Sequence, residues 1–322
     1  MSISYPRDFM SIVDDIKKMR IRGAGRIARA AIKALKLVSE SFEGDDREEF
    51  IEYIKSASKI LLNTRPTAVS LPNALRYVLF RLLEEYRSGG SLEALKETVN
   101  KSVNSFVKLS KNALKKIGEY GARLIDDGDV ILTHCNSAAV LSIIIKAKAD
   151  SKNISVYATE TRPRFQGRKT IKVLNKYGVR TTLIVDSAVG YFMNKINKVF
   201  VGADAILANG ALINKIGTFS IAIIANEFNV PLYVAAETYK YSPDSLFGVK
   251  AKIEERSPTE VISPSFLSRL NYVKVRNPAF DITSPRYITA IISEVGIYHP
   301  SVFPRVAEKI FKFRYSELYP WE

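Results

Sequence analysis

The stretch DDGDVILTHCNS, residues 126–137, separates two patterns of apolar residues in the sequence. From residue 8 to residue 124 the apolar residues recur at helical spacing, which predicts a helical region. After residue 126, short apolar runs alternate with helical segments, a pattern typical of parallel strands joined by right-handed crossover helices. The runs predicted as strands are 130–133, 154–159, 181–185, 199–201 and 232–236. We therefore expect an α/β fold with an N-terminal helical domain over residues 1–125 and a doubly wound, parallel-sheet, Rossmann-like domain over residues 126–322.

The bulk composition indicates a globular protein. The chain has 322 residues, of which 47% are hydrophobic and 25% charged. Neither a signal-peptide pattern nor an apolar run long enough for a membrane is seen, so we expect a cytoplasmic protein without a membrane partner. The net charge of +15 fits nucleic acid, a membrane surface, an anionic substrate or a Lys-rich solvated surface. Because no helix-turn-helix, zinc-finger or RNP-type pattern is present, nucleic acid is the less favoured partner.

The glycines at 23 and 25 match the dinucleotide pattern G-x-G-x-x-A on paper, with Ala28 in the last position. The residues before them read as a helix, however, and the dinucleotide motif requires a strand there. A nicotinamide cofactor is therefore not expected. Two interpretations stay open: a phosphate cradle made of backbone N–H groups beside Arg22 and Arg26, or a plain turn between two helices.

Polar residues follow each predicted strand, and in an open parallel sheet those positions meet at one edge. They include a thiol, carboxylates and several cations, a mixture that suits a phosphorylated sugar. With only two histidines and one cysteine in the chain, a zinc site is not expected. His134 and Cys135 are neighbours in sequence and should point to opposite faces, so a Cys-His hydrolase pair is disfavoured and His134 is interpreted as structural.

Cys135 and Asp204 are the candidate acid–base pair. Cys135 comes where a strand gives way to a helix predicted to begin near Asn136, and helix dipoles would lower the pKa of its thiol. Asp204 precedes an apolar run, which would raise its pKa and keep it protonated. The alternative for Cys135 is a buried, unreactive thiol.

Eight short motifs together resemble those of the initiation factor 2B-like isomerase superfamily. They are RGAG (22–25), TRPTAV (64–69), THC (133–135), ETRP with QG (160–167), GAD (202–204), NKIGT (214–218), AETYK (236–240) and NPAFDIT (277–283). The superfamily includes methylthioribose-1-phosphate isomerases and the regulatory subunits of translation initiation factor 2B. Within it the chain is most similar to archaeal isomerases that convert α-ribose 1,5-bisphosphate to ribulose 1,5-bisphosphate.

The resemblance implies roles for individual residues. The catalytic thiol and carboxylate fall on Cys135 and Asp204. Substrate contacts fall on Arg22, Gly23, Ala24, Gly25, Arg65, Ser137, Asn214, Lys215 and Lys240. It further implies a homo-oligomer, a dimer or a hexamer built from dimers, with possible activation by AMP, and chemistry without a cofactor or a metal.

Two alternatives within the superfamily stay open. A regulatory subunit shares the fold but needs neither thiol nor acid, and this sequence keeps both. Methylthioribose-1-phosphate isomerases typically begin with a small β-containing segment, whereas residues 8–60 here read as helices. The cations Arg22, Arg26 and Arg65 favour a bisphosphate over a substrate with an apolar thioether.

Overall fold

The protein is described by a computed structural model over residues 4–21, 23–65, 69–249, 251–311 and 318–322. It divides into two compact units. The helical unit comprises Met1–Asn112, Tyr239–Asp244 and Ala307–Glu322, and the sheet unit comprises Ala113–Thr238 and Ser245–Val306. The sequence-based division at 125/126 stays a prediction about domains, and the compact units differ from it in two ways. Their boundary falls inside a long helix, and two later segments pack with the first 112 residues because they supply side chains to that core.

Eleven α-helices are assigned in the described residues. They are α1 Arg7–Lys17, α2 Ala24–Glu40, α3 Arg47–Leu62, α4 Ser70–Arg87, α5 Leu92–Ala122, α6 Ala138–Ala149, α7 Gly167–Lys176, α8 Val189–Phe192, α9 Thr218–Glu227, α10 Pro264–Leu267 and α11 Phe303–Phe311. No helix within the described ranges is long and apolar enough to cross a membrane.

The helical unit is built on α2 and α4, which pack against each other. Small residues on the buried side of α2, Ala28, Ala31 and Ala34, allow this close approach. Its core also takes in Tyr239 and Trp321, which come from the two later segments. The helical pattern read from the sequence is therefore confirmed, including the helix before the 23–25 glycines.

Ten strands are assigned in the same residues. They are β1 Val130–Thr133, β2 Ser155–Thr159, β3 Arg180–Ile184, β4 Lys198–Gly202, β5 Ala205–Ile206, β6 Leu212–Lys215, β7 Leu232–Ala235, β8 Phe280–Thr283, β9 Ala290–Ser293 and β10 Gly296–Tyr298.

Seven of these strands form one sheet in the order β10-β9-β7-β4-β1-β2-β3. All neighbours pair in parallel except β10, which is antiparallel to β9. The parallel part, from β3 through β1 and β4 to β9, has the order of a Rossmann-like sheet, with its switch point between β1 and β4. The predicted fold class and the five predicted strands are confirmed.

The remaining strands form a small antiparallel sheet in the order β5-β6-β8, which the sequence did not predict. Strand β5 has two residues, and β6 pairs with β8 through partners such as Asn214 and Asp281, more than sixty residues apart. No local periodicity marks a strand so short, and its pairing depends on tertiary contacts. This small sheet carries part of the candidate site.

Candidate functional site

The two candidate catalytic residues follow the two strands at the switch point of the sheet. Cys135 comes just after β1 and Asp204 just after β4, and these strands pair in parallel up to Thr133 and Phe200. Their carboxyl ends therefore lie side by side, at the place where ligands bind in sheets of this order. The backbone N–H of Asp204 donates to the carbonyl of Ile213 at 2.9 Å, which fixes Asp204 at the start of the small sheet.

Cys135 sits in a constrained backbone position. Its φ is +69°, in the left-handed region that non-glycine residues seldom adopt. Its N–H donates to Thr161 Oγ1 at 2.9 Å, and its carbonyl accepts from Thr170 Oγ1 at 2.7 Å. Hydroxyl groups of two threonines thus hold both backbone polar groups of Cys135.

The expectation of a lowered thiol pKa was wrong. Burial raises the pKa of Cys135 to about 11, while Lys215 and the backbone N–H of Asn136 act in the opposite direction and Asp204 raises it further. Helix α6 begins at Ala138, two residues later than expected, and the side chain of its N-cap Ser137 accepts from Val140 N. At neutral pH the unliganded protein therefore carries a protonated thiol.

Lys215 ends β6 and is almost completely buried. Its Nζ donates to the carbonyl of Ala279 at 2.8 Å and lies 4.6 Å from the centroid of the Phe280 ring. Burial lowers the pKa of this lysine, whereas the nearby Cys135 and Asp204 raise it. The ammonium group is therefore electrostatically linked to both members of the candidate pair.

The other two predicted contacts of the sheet unit serve local structure. Asn214 is buried, and its Nδ2 donates to Thr218 Oγ1 at 3.0 Å. Ser137 caps α6 and lies so close to Gly202 that a methyl group at Gly202 would collide with its Oγ. Their role in substrate binding stays a prediction.

Most of the remaining predicted contacts surround the start of α2 in the helical unit. Gly23 is the N-cap of α2 with a φ of +89°, and Ala24 and Gly25 open the helix. Arg65 is half-buried, with Nη1 2.7 Å from the sulfur of Met19. Arg22 lies outside the described residues. The binding role of this group also stays a prediction.

Lys240 belongs to the segment Tyr239–Asp244, which packs in the helical unit. The lysine is buried, and the backbone carbonyls on either side of it, those of Tyr239 and Tyr241, both accept from Nδ2 of Asn73 at 2.8 Å. Asn73 Oδ1 in turn accepts from the guanidinium of Arg76 at 2.8 Å. A buried amide thus fixes the backbone that carries Lys240.

Sequence reasoning missed two charged residues of the sheet unit. Asp281 on β8 accepts from the N–H groups of Gly217 and Phe219 at 2.7 and 3.1 Å, and burial raises its pKa to about 6. Arg256 interacts electrostatically with Cys135 and Lys215. The NPAFDIT run contained the first of these residues, but nothing in the sequence indicated that it pairs with the turn after Lys215. Arg256 lies in an irregular segment without periodicity.

No group of three or more His, Cys, Asp or Glu side chains in the described ranges is placed to hold a metal ion. The chemistry available at the switch point is that of a thiol, a carboxylate and a buried ammonium group. Such a set can take a proton from one atom of a substrate and give one to another.

The fold and the switch-point residues define the class: a Rossmann-like α/β protein with a helical N-terminal unit and with a thiol and a carboxyl group just after β1 and β4. The chain belongs to the Initiation factor 2 subunit family, which matches residues 20–300. The predicted family resemblance is thereby confirmed.

Three similar proteins illustrate the relationship. The ribose 1,5-bisphosphate isomerase of Pyrococcus furiosus is 46% identical over 323 residues, covering the whole of both chains. That of Methanocaldococcus jannaschii is 51% identical over 298 residues, covering 92% of this chain and 94% of its own. The crystal structure of the translation initiation factor eIF-2B of Pyrococcus horikoshii OT3 superposes with a TM-score of 0.79 at 30% identity, covering 94% of this chain and 99% of that one.

Proposed function

We propose that the protein is an isomerase that converts α-D-ribose 1,5-bisphosphate to D-ribulose 1,5-bisphosphate. The observation that carries the proposal is a thiol, Cys135, and a carboxylate, Asp204, at adjacent strand ends of the switch point, both linked electrostatically to the buried Lys215. Similarity over nearly the full length to two archaeal proteins of that activity supports the choice of substrate.

The substrate dictates the order of events. A phosphate on O1 prevents simple ring opening to a free aldehyde, so the ring must open by elimination. The Cys135 thiolate takes the proton from C2 while protonated Asp204 gives its proton to the departing ring oxygen. The product is a phosphoenol with a double bond between C1 and C2. Asp204 then takes the proton of the C2 hydroxyl and the Cys135 thiol returns its proton to C1, which yields the ketose and restores both groups.

The raised pKa of Cys135 opposes formation of the thiolate that the reaction requires. A thiol with a carboxylate holds one proton, and so does the working pair, a thiolate with a carboxylic acid. A transfer from Cys135 to Asp204 therefore produces the working state without exchange with solvent. The positive charge of Lys215 opposes the raised pKa of the thiol and stabilises the thiolate that this transfer creates.

The two phosphates require cations and N–H donors away from the reacting carbons. We propose that the substrate contacts are Arg22, the N–H groups of residues 23–25, Arg65, Lys240, Ser137, Asn214 and Lys215. Assembly as a homo-oligomer, a dimer or hexamer, activation by AMP and a cytoplasmic location belong to the same proposal.

The test is an assay of the purified protein with ribose 1,5-bisphosphate and, separately, with methylthioribose 1-phosphate, following ketose formation. We expect turnover of the bisphosphate only. Cys135→Ser and Asp204→Asn should each lower kcat by at least about a hundredfold, and the bisphosphate should still raise the melting temperature of Asp204→Asn. His299→Asn serves as a control that keeps full activity. Turnover of the methylthio sugar would favour the other isomerase, and no turnover of either sugar would favour a regulatory subunit.

A further inference from the structure

His134 is a buried imidazole between the end of β1 and the turn that follows Lys215. Both of its ring nitrogens lie within hydrogen-bond distance of a partner. Nε2 is 2.9 Å from the carbonyl oxygen of Ile216, and Nδ1 is 2.6 Å from Thr159 Oγ1. The candidate mechanism does not use this ring, so its two contacts call for an explanation.

The partners of His134 determine which nitrogen carries the proton. A backbone carbonyl can only accept, so Nε2 must carry a proton, and in the neutral imidazole Nδ1 is then the acceptor. The hydroxyl of Thr159 therefore donates to Nδ1. Burial also lowers the pKa of this imidazole; the charge of Lys215 lowers it further, whereas Asp186 and the Ile216 carbonyl act against this. The ring is held neutral in the Nε2–H form.

The same logic extends the chain of hydrogen bonds to Cys135. The Thr159 hydroxyl donates its proton to His134, so Thr159 Oγ1 can only accept from Thr161 Oγ1, at 3.2 Å. The Thr161 hydroxyl shares this proton with the Thr159 carbonyl, which lies 3.3 Å away. Thr161 Oγ1 accepts the N–H of Cys135 at 2.9 Å. The hydrogen bonds therefore all run in one direction: each group donates to the next, from the N–H of Cys135 to the carbonyl of Ile216.

This chain of hydrogen bonds joins backbone segments that are in unfavourable or tightly packed conformations. Cys135 and Thr161 have φ values of +69° and +62°, and the left-handed region costs energy for any residue with a Cβ, most of all for a β-branched one. At the other end, a methyl group on Gly217 would lie 3.3 Å from the His134 ring, so the turn is packed tightly against it. The ring therefore spans from the loop of the thiol to the turn beside Lys215.

We propose that His134 is a positioning residue which, as a neutral Nε2–H imidazole, holds the Cys135 backbone and the Lys215 segment in a fixed relative position and takes no proton during the reaction. Its effect on turnover rests on the proposed isomerase function. Its tautomer and its hold on Cys135 do not rest on that function, so they can be tested separately.

The tautomer is read from the wild-type protein by NMR of ¹⁵N-labelled histidine. The chain has two histidines, and His299→Asn assigns the signals. We expect His134 to show the Nε2–H pattern without titration between about pH 5 and pH 9. An Nδ1–H tautomer, or a midpoint near the ordinary histidine value of about 6.5, would overturn the proposal.

The positioning role is tested with a matched pair of substitutions at Thr159. Thr159→Val keeps the shape and removes the hydroxyl, whereas Thr159→Ser keeps the hydroxyl. We expect Thr159→Val to lower kcat about tenfold or more with little change in KM, and Thr159→Ser to retain most of the activity. The rate of alkylation of Cys135 should change in the valine variant and not in the serine variant. If the two variants behave alike in both assays, the positioning role is refuted. Absence of isomerase activity in the wild type would refute the proposed function instead. In that case the alkylation and NMR results would still decide the role of His134.

Discussion

The raised pKa of Cys135 makes a quantitative prediction about its reactivity. Burial moves the pKa of the thiol from an ordinary value of 9.0 to about 11. Alkylation requires the thiolate, so at pH 8 the folded protein should present about a hundredfold less reactive thiol than the same chain unfolded in urea. Because Cys135 is the only cysteine, each chain can gain one adduct, which mass spectrometry counts directly.

The pH dependence of the rate separates the pKa from simple shielding. Shielding of the sulfur lowers the rate at every pH by one factor, whereas a pKa of about 11 makes the rate keep rising about tenfold per pH unit up to pH 10. The assay measures iodoacetamide alkylation from pH 7 to pH 10. A rate that levels off with a midpoint at or below pH 9 would refute the argument that burial dominates at this thiol.

The same shift affects stability. The folded state keeps the proton to higher pH than the unfolded state, so the stabilising contribution is complete below about pH 9 and is lost as the pH rises to about 11. Two pH units correspond to about 3 kcal/mol. Urea unfolding of the wild type and Cys135→Ala should therefore diverge over this window, with the wild type losing more stability. Parallel curves would contradict the shift.

Three further substitutions follow from the described contacts. Asn73→Ala removes the donor of two buried carbonyls in segment 239–244, so its free energy of unfolding in urea should fall by about 2–5 kcal/mol; a loss below about 1 kcal/mol would show that water replaces the amide. The pKa of Asp281 is raised to about 6, so its stabilising contribution is present below about pH 4 and lost as the pH rises through 6. Relative to Asp281→Asn, the wild type should lose up to about 2 kcal/mol over that window, and a constant difference between the two would count against the shift. Lys215→Met removes the cation that favours the thiolate, so alkylation of Cys135 at pH 9 should slow further; an increase in the rate would contradict this electrostatic link.

The sequence predicted the parts of the fold that repeat a local pattern. The helices before residue 124 and the five parallel strands have clear periodicities, and the rule that strand ends meet at one edge placed Cys135 and Asp204 together. The antiparallel strand β8 could not be predicted, because its pairing with β6 joins Asn214 to Asp281 across the chain. The pKa of Cys135 was predicted in the wrong direction because burial depends on packing and the helix starts at Ala138.

The interpretation of His134 shows a different limit. The sequence indicated a structural histidine, although the argument from side-chain alternation does not hold in detail, because β1 ends at Thr133 and Cys135 has a left-handed φ. The particular role could not be read from it, because the partners of the ring are the hydroxyl of Thr159 and the carbonyl of Ile216, which are 25 and 82 residues away. The tautomer of a histidine is set by its hydrogen-bond partners, and partners this far away in the chain cannot be identified from the sequence.

The packing of the helical unit also has a consequence for folding during synthesis. The guanidinium of Arg76 donates to the carbonyl of Leu318 at 2.6 Å, 242 residues later in the chain, and lies 5.2 Å from the ring centroid of Trp321. The helices that leave the ribosome first therefore cannot complete their core until residues 318–322 have been synthesised. Until then the guanidinium of Arg76 stays in water. Since Trp321 is the only tryptophan in the sequence, its fluorescence reports on the packing of this segment against the helical core.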